Sequence, residues 1–350
     1  MLFWKKGEDT EDNRDSRDSS DKKIKGKRKG KKEEAPWGKK ERLLVLMVLL
    51  LTAGGSGLLA LSARKWKLPG FPRLKFSVPS FPKVSFLEDE SFVLEGDKNL
   101  AKERDEGSRV IQRFYEITDD YSGVYGLYVV DLKSHYSYGV NEVEGFQAAS
   151  LIKLPVMVAM YLEAEAGNVD LDTKYSLKET DKLDGAGSLR QKPQGYEITY
   201  RNLIRLMGKE SDNTAFNIVS GLLGEEKMDS TIESLGMVDT DLGENLTTAR
   251  DIGILFEGVW RDNVLNPENK DEFFGFLTDT LYESLIPEGV PEDVVVAHKY
   301  GSVPHVLNDA GVVFSNEPFV LVLVSKGIIE DEANKVISEI ARVVYKIESE

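Results

Sequence analysis

The sequence predicts an α+β domain: an antiparallel sheet with flanking helices, formed by both ends of the domain, with an all-α lobe inserted between them. Three observations lead there. Strand-like segments fall into two distant blocks, "GVYGLYVVDL" with "HYSYGVN" at the front, and "DVVVAHKYG", "DAGVVFSN" and "PFVLVLVS" near the end. Between them, from Ser150 to about Trp260, the pattern is mainly helical. The strand blocks are themselves bracketed by two helical segments, "LAKERDEGSRVIQRFYEITDDY" and the amphipathic "EDEANKVISEIARVVYKI". Sheet segments from the two blocks must therefore meet, and a cleft between sheet domain and helical lobe is a natural place for a site.

The first block opens with the helix from about Asp97, and "GVYGLYVVDL" then pairs with "HYSYGVN" as a hairpin. The domain is assigned to 97–350. Ahead of it, residues 68–87 hold four prolines and an imperfect echo, "FPRLKF" then "FPKVSF". Repeated X-Pro steps favour extended backbone, so 64–96 is expected to be a semi-rigid linker. Residues 43–63, "LLVLMVLLLTAGGSGLLALSA", are uncharged and mostly apolar, long enough to cross a roughly 30 Å hydrocarbon core as one helix. Residues 1–42 are read as a basic disordered tail.

Lys39, Lys40 and Arg42 precede the apolar run behind the tract "KKIKGKRKGKK", whereas Arg64, Lys65 and Lys67 follow it. This asymmetry places the N-terminus in the cytoplasm and the domain outside, in a single-pass arrangement at the cell membrane. A cleaved signal peptide would carry a much shorter charged lead.

Net charge is -15, distributed unevenly: residues 1–42 carry 15 Lys and Arg against 10 Asp and Glu, residues 88–350 carry 24 against 50. So acidic a body excludes nucleic acid as its partner, because phosphate binding needs the opposite field. The chain has no cysteine, which removes thiolate nucleophiles, disulfides and cysteine-ligated metals. With three histidines and no paired-histidine motif, no metal site or cofactor is expected.

Chemistry is concentrated in three short motifs. The pattern S-x-x-K begins at Ser19, Ser20, Ser62, Ser80 and Ser150, so by itself it says little. Ser150 differs in context: it follows two strand-like segments and opens an apolar stretch, as expected at a helix N-terminus, where free N–H groups favour an anionic oxygen. Three residues on, the Lys153 amine lies on the same helical face as the Ser150 hydroxyl and can take its proton if burial lowers its pKa. A capping serine with a snorkelling lysine fits the same motif. Further on, Ser211, Asp212 and Asn213 start another helical pattern and suit an N-cap. "VVVAHKYGSV" then delivers Lys299, Tyr300, Gly301 and Ser302 from a strand; a strand-end lysine is ordinarily a solvated charge.

Taken together and in this order, the three motifs resemble the S-x-x-K, S-D-N and K-T-G set of the penicillin-recognising serine hydrolases, specifically the class A β-lactamase family. Residues 184–217, 245–253 and 298–327 also resemble family segments. The resemblance implies a β-lactamase/DD-peptidase-like fold and a serine hydrolase acting on a β-lactam or a peptidoglycan stem peptide. It implies Ser150 as nucleophile, Lys153 as its base, Ser211 as proton relay to the leaving nitrogen, and Asn213 holding Lys153 and the substrate amide. Lys299 would supply positive charge, Tyr300 and Gly301 would border the substrate, and the N–H groups of Ser150 and Ser302 would form the oxyanion hole. Asp212 is expected to be structural, and His298 to face away from Lys299 by strand alternation.

Two departures qualify that pattern. The long loop that bears the family's water-activating glutamate is missing, since "LGMVDTDLG" runs almost directly into "ENLTTARD". Glu244 is the one carboxylate in roughly the right place. Tyr300 stands where the family has a small hydroxyl residue that helps bind a substrate carboxylate. Acylation is expected to survive these losses and deacylation to be slow, with a DD-carboxypeptidase or a catalytically silent wall-binding module as alternatives.

Overall fold

The computed structural model describes residues 95–349. The predicted tail, membrane helix and most of the linker lie outside the described residues, and among the described residues no helix is long and apolar enough to cross a membrane.

The chain enters through helix α1 (Glu95–Thr118) and forms the hairpin β1 (Val124–Asp131) and β2 (Ser137–Val140). After the two-residue strand β3 (Phe146–Gln147) it passes into the helical lobe. There α2 (Lys153–Glu165), α3 (Tyr200–Lys209), α4 (Asn213–Leu223), α5 (Glu225–Ser234), α6 (Ala249–Trp260) and α7 (Pro267–Phe276) follow. Two small ribbons interrupt them: β4 (Lys174–Ser176) pairs with β5 (Glu197–Thr199), and β6 (Leu246–Thr247) pairs back to β3. The short α8 (Ile286–Gly289) leads to β7 (Val295–Val303), β8 (Val306–Phe314), β9 (Phe319–Lys326) and the closing helix α9 (Glu330–Glu348).

The main sheet is antiparallel, in the order β2-β1-β9-β8-β7. Its register joins the two ends of the domain as the sequence predicts: Leu127 of β1 lies opposite Leu323 of β9, and Ala310 of β8 is flanked by Val322 and Lys299. Strands β8 and β9 are buried almost throughout, which is why "DAGVVF" and "FVLVLVS" read as continuous apolar runs rather than alternating ones.

One face packs on α1 and α9; α9 turns Ala333, Val336, Ile337, Ile340, Ala341, Val344 and Ile347 inward at helical spacing. The other face receives α6, whose Gly253 admits the Tyr128 ring so closely that a Cβ there would lie 2.3 Å from it. Helix α2 runs through the middle of the lobe and is buried on every side from Leu154 to Tyr161. Each such apolar side chain contributes roughly 1.5–3 kcal/mol on burial.

Helix starts are capped as their sequences dictate: Thr199 accepts from the Asn202 N–H, Thr248 from Asp251 and Asn266 from Asn269, with Pro267 at the first helical position.

β7 is one of the two edge strands, and it is anchored from the side. The His298 N–H donates outward to Leu277 O at 2.8 Å, and its imidazole is fully buried between two carboxylates. Nδ1 lies 2.7 Å from Asp309 Oδ1 and Nε2 3.3 Å from Glu283 Oε1, while Asp309 Oδ2 accepts from the Ile286 N–H. Burial opposes a charge on His298, but Asp309 and Glu283 outweigh it and raise its pKa to about 9. A raised folded pKa stabilises fully below the ordinary histidine value and is lost as pH climbs through about 9. Asp309→Asn removes the main counter-charge from a buried cation. It is expected to cost about 3 kcal/mol in urea unfolding at pH 7 and to move the His298 imidazole titration, followed by NMR, well below 9.

Candidate active site

The site forms where the start of α2, the start of α4 and the edge strand β7 converge. Ser150 does not begin an α-helix, as its sequence context suggests; it sits in a 3₁₀ turn (Ala149–Ile152), and the α-helix starts at Lys153. A 3₁₀ turn has three residues per turn, so positions i and i+3 eclipse one another. The S-x-x-K spacing consequently sets the amine directly against the hydroxyl, and Lys153 Nζ lies 2.9 Å from Ser150 Oγ.

Lys153 is 3 % exposed. Its Nζ also lies 2.9 Å from the Ser211 carbonyl, 2.8 Å from Asn213 Oδ1 and 3.3 Å from Ser211 Oγ, with the Phe216 ring centroid at 5.7 Å. The neutral amine would keep two protons for the Ser211 carbonyl and Asn213 Oδ1, and its lone pair could accept from one of the two hydroxyls. Burial drives toward that state, pulling the Lys153 pKa down to about 8 against the opposing pull of Asp212.

The S-D-N segment is held by its aspartate, as expected. Asp212 caps α4 by accepting from the Ala215 N–H at 2.9 Å, and its other oxygen accepts from the Leu189 N–H at 2.8 Å. Ser211, just ahead of the cap, takes a left-handed φ of +54°. Its carbonyl and hydroxyl both reach Lys153 as a result. Asn213 adds a second contact, Nδ2 donating to Asp184 O at 2.9 Å, so its side-chain oxygen is aimed at Lys153.

On the β7 side, Lys299 is 1 % exposed and its Nζ donates to the Tyr300 carbonyl at 2.9 Å. Burial, reinforced by the Lys153 charge, pushes its pKa well below the ordinary lysine value. The strand-end lysine is therefore no solvated edge charge, and the two amines compete for the same positive charge. Gly301 passes so close to the turn that a Cβ on it would come within 3.0 Å of the Ser150 nitrogen.

Because the His298 N–H points off the free edge of the sheet, alternation turns the N–H of Tyr300 and Ser302 the same way. Ser302, the next residue after Gly301, is exposed. Tyr300 stacks on Tyr282, ring centroids 4.7 Å apart and planes 4° from parallel. His298 faces away from Lys299 into its carboxylate pair, as strand alternation requires.

The structure thus brings Ser150, Lys153, Ser211, Asn213, Lys299, Gly301 and Ser302 together, and places Tyr300 beside them against Tyr282. Glu244 stands apart: it is exposed and its backbone N–H donates to Asp241 Oδ1. Among the described residues no carboxylate hydrogen-bonds Ser150 or Lys153, and no cluster of carboxylates and histidines suits a metal ion.

Three residues at the site have no motif to announce them: Tyr282, Asn308 and Asn245. Asn308 is buried, donates to Gln147 O at 2.9 Å and accepts from the Ser325 N–H. Asn245 bonds the backbone of Ala149. Asn245 opens the family-like segment 245–253, and asparagine adopts left-handed turn geometry readily, but neither signal assigns it this contact.

The chain and its fold are similar to known proteins. The family model described as "Beta-lactamase enzyme family" matches residues 109–347. Beta-lactamase SME-1 of Serratia marcescens is 24% identical over 240 residues, covering 64% of this chain and 80% of that protein. Beta-lactamase VEB-1 of Pseudomonas aeruginosa is 22% identical over 236 residues, 59% of this chain and 79% of that one. Among solved structures, a beta-lactamase from Sphaerobacter thermophilus DSM 20745 superposes with a TM-score of 0.65 at 25% identity, over 69% of this chain and 97% of its own. A point mutant of PBP-A, solved as an acyl-enzyme complex with penicillin G, gives 0.62 at 25% identity, over 71% and 96%. With a class A β-lactamase fold and a serine–lysine pair at its core, this chain belongs to the beta-lactamase enzyme family of serine hydrolases.

Proposed function

We propose that this protein is an extracytoplasmic acyltransferring hydrolase, held at the cell membrane by the apolar segment 43–63, that takes the acyl group of a β-lactam or a D-amino-acid amide onto Ser150 and releases it slowly. The observation that carries the reading is the 2.9 Å approach of a buried, deprotonation-prone Lys153 amine to the Ser150 hydroxyl.

Neutral Lys153 accepts the Ser150 proton as Oγ attacks the carbonyl carbon, and the oxyanion forms against the N–H groups of Ser150 and Ser302. Lys153 Nζ also lies 3.3 Å from Ser211 Oγ. The proton therefore passes through the Ser211 hydroxyl to the amide nitrogen as the C–N bond breaks, leaving a free amine and an ester on Ser150. Asn213, fixed on Lys153 and Asp184, keeps the relay aligned. Hydrolysis of the ester needs a second deprotonation, of water, and among the described residues no carboxylate hydrogen-bonds Ser150 or Lys153 to serve it. Release is accordingly the slow step. PBP-A, whose acyl-enzyme with penicillin G was captured in a mutant, supports a β-lactam as one acyl donor.

Incubated with a fluorescent penicillin, the full-length chain is expected to take one covalent label, and Ser150→Ala none. Nitrocefin should give a burst followed by turnover far slower than labelling. A label that survives Ser150→Ala, or a wild type that takes none, sinks the proposal. The second-order labelling rate should also rise with pH, about tenfold per unit while Lys153 is mostly protonated, and level off above about 8, where the amine is neutral. A profile flat from pH 6 to 9 would remove Lys153 as the base.

A further inference from the structure

The residue just before the nucleophile is strained. Ala149 has φ +49°, a left-handed conformation that a residue with a Cβ adopts at a cost. Such a conformation persists only where its surroundings enforce it. The enforcing group is the side chain of Asn245, 96 residues further along the chain.

The ribbon of β3 and β6 pairs Phe146 with Thr247 and Gln147 with Leu246. One rung further, the Ala148 N–H donates to Asn245 O at 2.8 Å. There the backbone ladder ends, because Asn245 closes a tight turn in which Asp241 and Leu246 exchange hydrogen bonds, and itself adopts φ +54°. Its carboxamide then extends the ladder. Oδ1 accepts from the Ala149 N–H at 2.8 Å and Nδ2 donates to the Ala149 carbonyl at 3.3 Å. Both polar groups of the strained residue are thus held by one rigid, planar amide.

We propose that Asn245 is a positioning residue for acylation: its carboxamide locks Ala149 in the left-handed conformation and thereby aims the Ser150 N–H and Oγ at the acyl carbon. The inference rests on the acyl-transfer reading above. Ala149 adjoins Ser150, so a relaxation of its φ rotates the N–H that faces the oxyanion and swings Oγ relative to Lys153. The other supports cannot replace it. Asn308 fixes the carbonyls of Gln147 and Ala148, upstream of the strained residue, and Gly301 supplies contact without a side-chain hydrogen bond.

Glycine adopts φ +49° without strain, which supplies a test specific to this role. Asn245→Ala in the full-length chain is expected to lower the rate constant of labelling at saturating fluorescent penicillin about a hundredfold. The half-saturating concentration should stay within about threefold, since alignment and not binding is lost. Asn245→Asp keeps the acceptor for the Ala149 N–H and loses the donor, and should fall between. Combining Ala149→Gly with Asn245→Ala should restore labelling to within about fivefold of wild type. The drop in Tm caused by Asn245→Ala should likewise shrink in the Ala149→Gly background.

Wild-type labelling by folded Asn245→Ala and Asn245→Asp overturns the proposal, as does a double variant as slow as Asn245→Ala alone. A wild type that takes no label overturns the acyl-transfer reading instead. The Tm cycle then still decides the clamp: full additivity of the two substitutions overturns it, and coupling sustains it.

Discussion

The enclosure of one amine organises this molecule. Lys153 is shut away from water, and an isolated ammonium in such a place is costly unless it finds oxygen partners or gives up its proton. Its partners come from two separate segments: the Ser150 hydroxyl from its own turn, the Ser211 carbonyl and Asn213 oxygen from the start of α4. Neither segment alone satisfies it. For the cage to close, α2 must be buried on all sides, Asp212 must cap α4 and tie down Leu189, and β7 must lie close enough for Gly301 to touch the Ser150 nitrogen. The lobe, the loop before α4 and the sheet edge close together around one buried amine.

The two hydroxyls that contact this amine share a second feature. Ser211 has a positive φ, and Ser150 follows a residue that has one. Both are bends that regular secondary structure would refuse, and each is held by side chains outside its own turn. Strain of this kind aims a functional group more sharply than a relaxed helix start does, and it places the burden of stability on the residues that hold it.

The sheet edge shows a comparable division of labour. Lys299 faces the site while its neighbour His298 faces the opposite way into Asp309 and Glu283, so one strand carries a catalytic-side amine on one face and an anchoring cation on the other. Charge on His298 is welcomed and charge on Lys299 is resisted. Adjacent residues of one strand differ so strongly because alternation delivers them to opposite environments, one lined by carboxylates and one already holding a lysine.

The sequence by itself determined a good deal. Two distant strand blocks bracketing a helical middle required a sheet joined from both ends, because strands with an apolar face must find one another. The order of S-x-x-K, S-D-N and a strand-borne lysine singled out Ser150 from four other matches, since a motif tied to consecutive residues survives in the linear chain. The structural role of Asp212 and the outward turn of His298 also followed from local rules, capping and alternation, that involve only neighbouring residues. Only the tertiary structure decided the rest. That Lys299 is enclosed, that Tyr282 stacks on Tyr300, and that Asn245 grips Ala149 across a separation of 96 residues all depend on contacts between segments apart in the sequence. Such contacts leave no periodicity or spacing to read, because any residue of suitable size and polarity brought to that place by the fold would serve.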